Sequence, residues 1–341
     1  MVVMLWKSNY THDLVVKSGS MAISMLARGQ LDLIEPLGLR SGRVTSKLDG
    51  LDVRLTAAGD PYFKLKSFGY VDEGKKLGYK VTIYDAGGYG NLSRQVSQIE
   101  DVIQRGVDAI VLVPASSDGT VPVVEKAVDN GIPVINDGIA TNTPKVTGFV
   151  GEDSYVMGEM LGVYIAEALG GKGNIAMLSG PAGLDLTNFR VSGFKDYIAL
   201  FPELQVVAEK FTSTSSAETM NVMQDFVQAH PETNAVYTFN GPIAIGAVQA
   251  LRAAGRQPGD VVVTTMDLEV ETERLMRDGW IQMTVVSQPV NMARLAVRRA
   301  VEATQGEDIP DVTLTQESVI TKDTLDAVDL SGQEVPDNWG K

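Results

Sequence analysis

Gly78-Tyr79-Lys80-Val81-Thr82-Ile83-Tyr84-Asp85-Ala86-Gly87-Gly88-Tyr89-Gly90-Asn91-Leu92 opens a stretch that runs through GVDAIVLVP (106–114) to NGIPVIND (130–137). It reads strand, glycine loop, helix, strand, helix, strand. Short apolar strands alternating with amphipathic helices predict an α/β fold with a parallel sheet, whose ligand crevices lie at the carboxyl ends of the strands. The loop Gly87-Gly88-Tyr89-Gly90 sits at such an end and makes Tyr89 a candidate ligand contact, because glycines let the backbone turn and expose the ring. The glycines do not complete a G-x-G-x-x-G pattern, since Ser93 stands where the last is required. A dinucleotide site is therefore not expected.

The same alternation extends outward. Strands are expected near 52–57, 79–84, 108–113, 132–136 and 146–150, with helices near 61–77, 91–105, 119–130 and 153–169. A second series follows: strands near 173–178, 204–208, 234–239, 260–266 and 281–286, and helices near 187–200, 216–229, 242–254, 268–278 and 290–305. One last strand is expected near 312–319. Gly78, Gly106, Gly131, Gly255 and Gly279 punctuate helix ends, Asp60-Pro61 reads as a helix start, and Asn91 as an N-cap. In the helix after Tyr89, Leu92, Val96, Ile99, Val102 and Ile103 form the apolar face, with Gln95 assigned to another. Residues 1–50 show no clear period and read as an N-terminal extension of uncertain structure.

The chain has 341 residues, enough for two domains. Lys+Arg 29 against Asp+Glu 43 gives a net charge of −14, which argues against nucleic acid as a partner. There is no cysteine, and the only histidines are His12 and His230. Thiolate chemistry is excluded and a His-based triad or metal site is not expected. No catalytic residue, metal or cofactor is assigned. No apolar run is long enough to cross a membrane, and the first residues show no secretory leader.

From about Asp52 to Ile320 the chain resembles the type I periplasmic solute-binding proteins, the group that includes ribose-binding protein. The segments that carry the resemblance, in order, are Asp60-Pro61-Tyr62-Phe63, GVDAIVLVP, NGIPVIND, GEDSYVMGEMLGVYIAE, GPAG with Gly193-Phe194, NVMQDFVQAHPETNAVYTFN, AIGAVQALRAAG, and TTMD with DGWIQMTVVSQP. DAGGYGNLSRQVSQIED and GPAG look most like TorT-type periplasmic sensors, partners of a sensor histidine kinase whose founding members sense trimethylamine N-oxide. The resemblance implies two Rossmann-like lobes, 53–152 plus 288–318 and 153–287 plus 319–341, joined by a three-segment hinge. It implies a monomer in the bacterial periplasm that is not an enzyme.

It also implies site residues. Asp60, Tyr62 and Phe63 follow the first strand, where the family's aromatics stack on ligand. Asp137 ends a strand, followed by Gly138 where ribose binders carry arginine, which counts against ribose itself. Asp153 follows the first crossing and doubles as a helix-cap candidate. Asn188 aligns with the family's sugar-clamping arginine, and Arg190 stands two residues on. Asn240, Asp267 and Gln288 fall on matching positions, while Phe239 is assigned to the core. The implied function is capture of a small polar ligand, a sugar or polyol, for the permease of an ABC-type importer. The alternatives are a sensor-kinase partner with a small amine as ligand, held by Tyr62 and Tyr89 through cation–π contact, and a LacI-type repressor. Residues 1–50 have a net charge of only +2 by count of Lys/Arg against Asp/Glu, weak for a DNA-binding head.

Overall fold

In the computed structural model, residues 2–7, 61–328 and 335 are described. The elements in chain order are β1 (Val2–Lys7), α1 (Pro61–Leu77), β2 (Tyr79–Tyr84), α2 (Leu92–Arg105), β3 (Ala109–Leu112), α3 (Val121–Asp129), β4 (Val134–Asp137), β5 (Gly148–Gly151), α4 (Ser154–Ala168), β6 (Lys172–Gly180) and α5 (Asp185–Ile198). They continue with β7 (Glu203–Phe211), α6 (Ser216–Ala229), β8 (Ala235–Thr238), α7 (Gly241–Ala253), β9 (Val262–Met266), α8 (Val270–Arg277), β10 (Met283–Val286), α9 (Pro289–Thr304), β11 (Val312–Leu314) and β12 (Ser318–Thr321).

Among the described residues, the strands form two six-stranded sheets, in the orders β11-β5-β4-β3-β1-β2 and β12-β10-β9-β8-β6-β7. Pairing is parallel except that β1 runs antiparallel to β2 and β3, and β12 antiparallel to β10. Helices cover both faces of each sheet, so central strands such as β3 (AIVL) and β8 (AVYT) are buried at every position, and the two-residue period sorts their side chains between the two faces. In β3, Ala109 and Val111 face α1 and α9, while Ile110 and Leu112 face α2 and α3. In β6, Ile175 and Met177 pack under α4 and α5, and Ala176 and Leu178 under α6 and α7. The five punctuating glycines all have φ between 67° and 79°, the left-handed conformation that ends a helix at low steric cost.

Four readings of the sequence need correction. The last strand is two, β11 in the first sheet and β12 in the second, because the chain crosses between sheets at 315–317. Residues 2–7, read as part of an extension, form a strand paired between β2 and β3 inside the first sheet. The strand expected at 52–57 lies outside the described residues, as does the Asp60 cap. Asn91 makes no side-chain cap: its Nδ2 donates to Gly87 O at 2.9 Å and closes the glycine loop. Gln95 is buried, its Nε2 donating to Val113 O at 2.8 Å and its Oε1 accepting from Ala115 N at 2.7 Å.

Candidate functional site

The carboxyl ends of strands from both sheets meet at one cavity, as the βαβ pattern requires. Its lining comes from α1 (Tyr62, Phe63, Lys66), from the loops after β2 (Tyr89), β3 (Val113), β4 (Gly138, Ile139) and β5 (Glu152), from Asp137 at the end of β4, and from α5 (Leu186, Arg190) and the turns after β8 and β9 (Phe239, Asn240, Asp267). The centres of water-sized molecules have access to about 40 Å³ of it.

On the first-sheet side, α1 presents Tyr62, Lys66 and Tyr70 four residues apart, on one face. Lys66 Nζ lies 2.6 Å from Asp137 Oδ1, and Tyr70 OH donates to Asp137 Oδ2. Lys66, Tyr70 and Asp137 are buried, so the carboxylate has a protein partner on each oxygen. Gly138 makes room: with φ 78°, a Cβ there would stand 3.1 Å from Lys66 Nζ. Lys66 Nζ also lies 5.3 Å from the Tyr62 ring centroid. Burial first, then Glu152, Asp267 and Asp137, push the Tyr62 hydroxyl well above its ordinary pKa, so it stays a neutral hydroxyl. Tyr62, Phe63 and Tyr89 form an aromatic wall, with centroid separations of 5.7 and 6.1 Å.

On the second-sheet side, Arg190 Nη2 donates to Glu152 Oε1 at 2.9 Å and Nη1 to Phe239 O at 3.2 Å, with the guanidinium 4.7 Å from the Phe239 ring centroid. Burial raises the Glu152 carboxyl above its ordinary pKa, opposed by Arg190 and Lys66 and assisted by Asp267 and Asp137. For Arg190 burial acts downward, but Glu152 and Asp267 carry it net upward. Asn240 Oδ1 caps α7 by accepting from Ile243 N. Asp267 accepts from Ser287 Oγ at 3.0 Å and has φ 69°, the sole non-glycine positive φ among the described residues. Such a conformation costs on the order of 1 kcal/mol or more and clusters at functional sites.

Of the residues selected from sequence, the structure gathers Tyr62, Phe63, Tyr89, Asp137, Arg190, Asn240 and Asp267. It leaves out three. Asp153 caps α4, accepting from Val156 N at 3.1 Å. Asn188 is exposed, since residues two apart on a helix point about 200° apart and Arg190 takes the inward face. Gln288 donates through Nε2 to Gln316 O at 3.0 Å, tying one sheet crossing to another. Asp60 lies outside the described residues. Lys66, Glu152 and Phe239 line the cavity without having been selected. The four-residue spacing of Tyr62, Lys66 and Tyr70 was the readable signal for Lys66; Glu152 carried none.

The periplasmic binding protein domain family matches residues 53–308. The ribose import binding protein RbsB of Bacillus subtilis is 31% identical over 259 residues, 76% of this chain and 83% of that protein. A xylitol-binding protein of Mycolicibacterium smegmatis is 32% identical over 238 residues, 69% of this chain and 67% of that protein. Among solved structures, an ABC transporter solute-binding protein of Bacillus halodurans with bound myo-inositol superposes with a TM-score of 0.74 at 27% identity, covering 79% of this chain and 93% of that one.

Proposed function

Because this chain belongs to the periplasmic binding protein domain family, we propose that it is a periplasmic solute receptor which closes over a small neutral sugar or polyol and delivers it, as a monomer, to the permease of an ABC-type importer. It binds and releases its ligand without turnover. Among the described residues, the two lobes are 2–7 and 61–152 with 288–318, and 153–287 with 319–328.

The observation that carries this reading is the electrostatic state of the cavity. Two cations face three carboxylates there, and each cation is already paired: Lys66 with Asp137, Arg190 with Glu152. The protein's own cations also lie over the Tyr62 and Phe239 rings. That counts against an amine bound by cation–π contact and against a polyanion. What remains suits a neutral ligand with several hydroxyls, which can donate to carboxylates and accept from amides in one pocket. The ribose, xylitol and myo-inositol of the relatives belong to that class.

The accessible space holds roughly three waters at 10–15 Å³ each, too little for a pentose or a pentitol. Entry therefore needs the lobes to part. The three crossings lie side by side and are cross-linked: Thr315 N donates to Gly151 O at 2.8 Å, Asp153 N to Glu317 Oε1 at 2.9 Å, and Gln288 Nε2 to Gln316 O. A narrow band of this kind suits rotation of one lobe against the other. The glycine loop that resembles sensor proteins is closed on itself through Asp85 and Asn91; it presents Tyr89 to the cavity, which an importer receptor uses equally well.

Thermal melting of the full chain against D-ribose, xylitol and myo-inositol tests the proposal. A ligand specific to the folded state adds about 2.7 kcal/mol at a hundred times its Kd, and the melting temperature rises with the logarithm of concentration. No shift with any of the three would overturn it.

A further inference from the structure

The pair Glu152–Arg190 is built as half of a two-rung bridge. Arg190 Nη2 reaches Glu152 Oε1, Nη1 reaches Phe239 O, and Nη2 also lies 3.9 Å from Met157 Sδ. Arg190 Nε and Glu152 Oε2 are both buried and have no hydrogen-bond partner among the described residues. The two side chains are 5% and 1% exposed. A guanidinium and a carboxylate commonly meet through two parallel bonds. Here the second is missing, so a donor and an acceptor are left over on adjacent groups that both line the cavity.

Buried polar atoms without partners are costly and uncommon, and the two left over are complementary in kind. One atom of a solute can serve both only if it accepts from Nε–H and donates to Oε2. An ether or carbonyl oxygen has no proton to give, and an ammonium has no lone pair for Nε–H. A free hydroxyl has both.

We propose that Glu152 is a specificity-determining residue of the solute site: with Arg190 it takes one free hydroxyl of the ligand, whose oxygen accepts from Arg190 Nε and whose proton is donated to Glu152 Oε2. The inference rests on the polyol-receptor reading and assigns within it a role to Glu152. It distinguishes a free hydroxyl from its deoxy or O-methyl counterpart at one position of the ligand.

Calorimetric titration of the full chain decides the matter, first with D-ribose, xylitol and myo-inositol, then with deoxy and mono-O-methyl derivatives of the tightest binder. The wild-type protein is expected to lose tenfold or more at one position, for the methyl ether as for the deoxy compound. Glu152→Gln is expected to bind the parent at least tenfold more weakly and to bind the parent and that deoxy derivative alike. Glu152→Asp keeps the charge pair but withdraws the oxygen by one methylene, and carries the same expectation if Glu152→Gln does not fold. Unchanged affinity in both variants, or weaker binding that still discriminates against the deoxy derivative as the wild type does, overturns the assignment. So does a wild type indifferent to methylation at every position, the result expected if a water alone bridges the pair. Binding of none of the three parent compounds instead removes the receptor reading, and this inference with it.

Discussion

The cavity holds two buried ion pairs, Lys66–Asp137 within the first-sheet side and Arg190–Glu152 between the second-sheet helix α5 and the crossing after β5, and they are finished to different degrees. Lys66–Asp137 is complete, with Tyr70 on the second carboxylate oxygen. Arg190–Glu152 retains an unmatched donor and acceptor. The same chemistry thus serves two ends. A saturated network rigidifies its surroundings and has little left to offer a ligand. An unsaturated one stores the capacity to bind. Burial of a charged residue beside a cavity is accordingly a poor guide to its role until its partners have been counted.

The largest effect should come from breaking the finished pair. Asp137→Ala leaves Lys66 buried without its carboxylate, and should cost about 3–5 kcal/mol in chemical denaturation; a loss below about 1 kcal/mol would mean that the pair carries no such weight. Breaking the unfinished pair should instead show in binding. Arg190→Lys cannot reproduce the planar fork, and affinity for the best polyol should fall by about 1.5–3 kcal/mol, read by titration. Gly138→Ala tests the space that Lys66 occupies: at φ 78° a side chain costs about 1–2 kcal/mol, and Lys66 must also shift. Asp267→Gly relieves a positive φ while losing the bond from Ser287. Stability should stay within about 1 kcal/mol of wild type, with binding weakened; a large loss of stability would show that Asp267 is chiefly structural.

The smallest effect sharpens the comparison through pH. The Glu152 carboxyl is raised above its ordinary 4.5 by burial, so the folded state holds this proton more tightly than the unfolded chain. Its contribution to stability is therefore present in full below pH 4.5 and is lost as pH rises through the higher folded value. Denaturation midpoints of Glu152→Gln and wild type should converge toward acid and diverge as pH rises from 4.5 to the folded value. Parallel profiles would contradict the assignment of this titration to Glu152.

Much of this was legible in the chain. Helices 61–77 and 216–229 were bounded to the residue, because apolar spacing and end signals such as Gly78 and Pro231 act locally. Where the reading failed, a distant partner had intervened. Gln95 was assigned to an outer face, yet it is buried because the β3–α3 loop supplies its hydrogen bonds. Residues 312–319 read as one strand because each half is strand-like, and only the separation of the two sheets divides them. Asn188 and Arg190 were both selected from sequence, and the rotation of α5 turns Arg190 inward. Glu152, in a segment quoted for its order along the chain, had no local mark at all.

What the sequence determined by itself is the α/β architecture, its two successive series and the strand ends where a ligand crevice must lie, since these follow from periodicity and from backbone preferences at turns. What only the tertiary structure decided is which polar groups converge there and which are already satisfied. Lys66 and Asp137, or Glu152 and Arg190, are tens of residues apart along the chain; their pairing and their remaining hydrogen-bonding capacity arise only when folding brings them together and removes water from both at once.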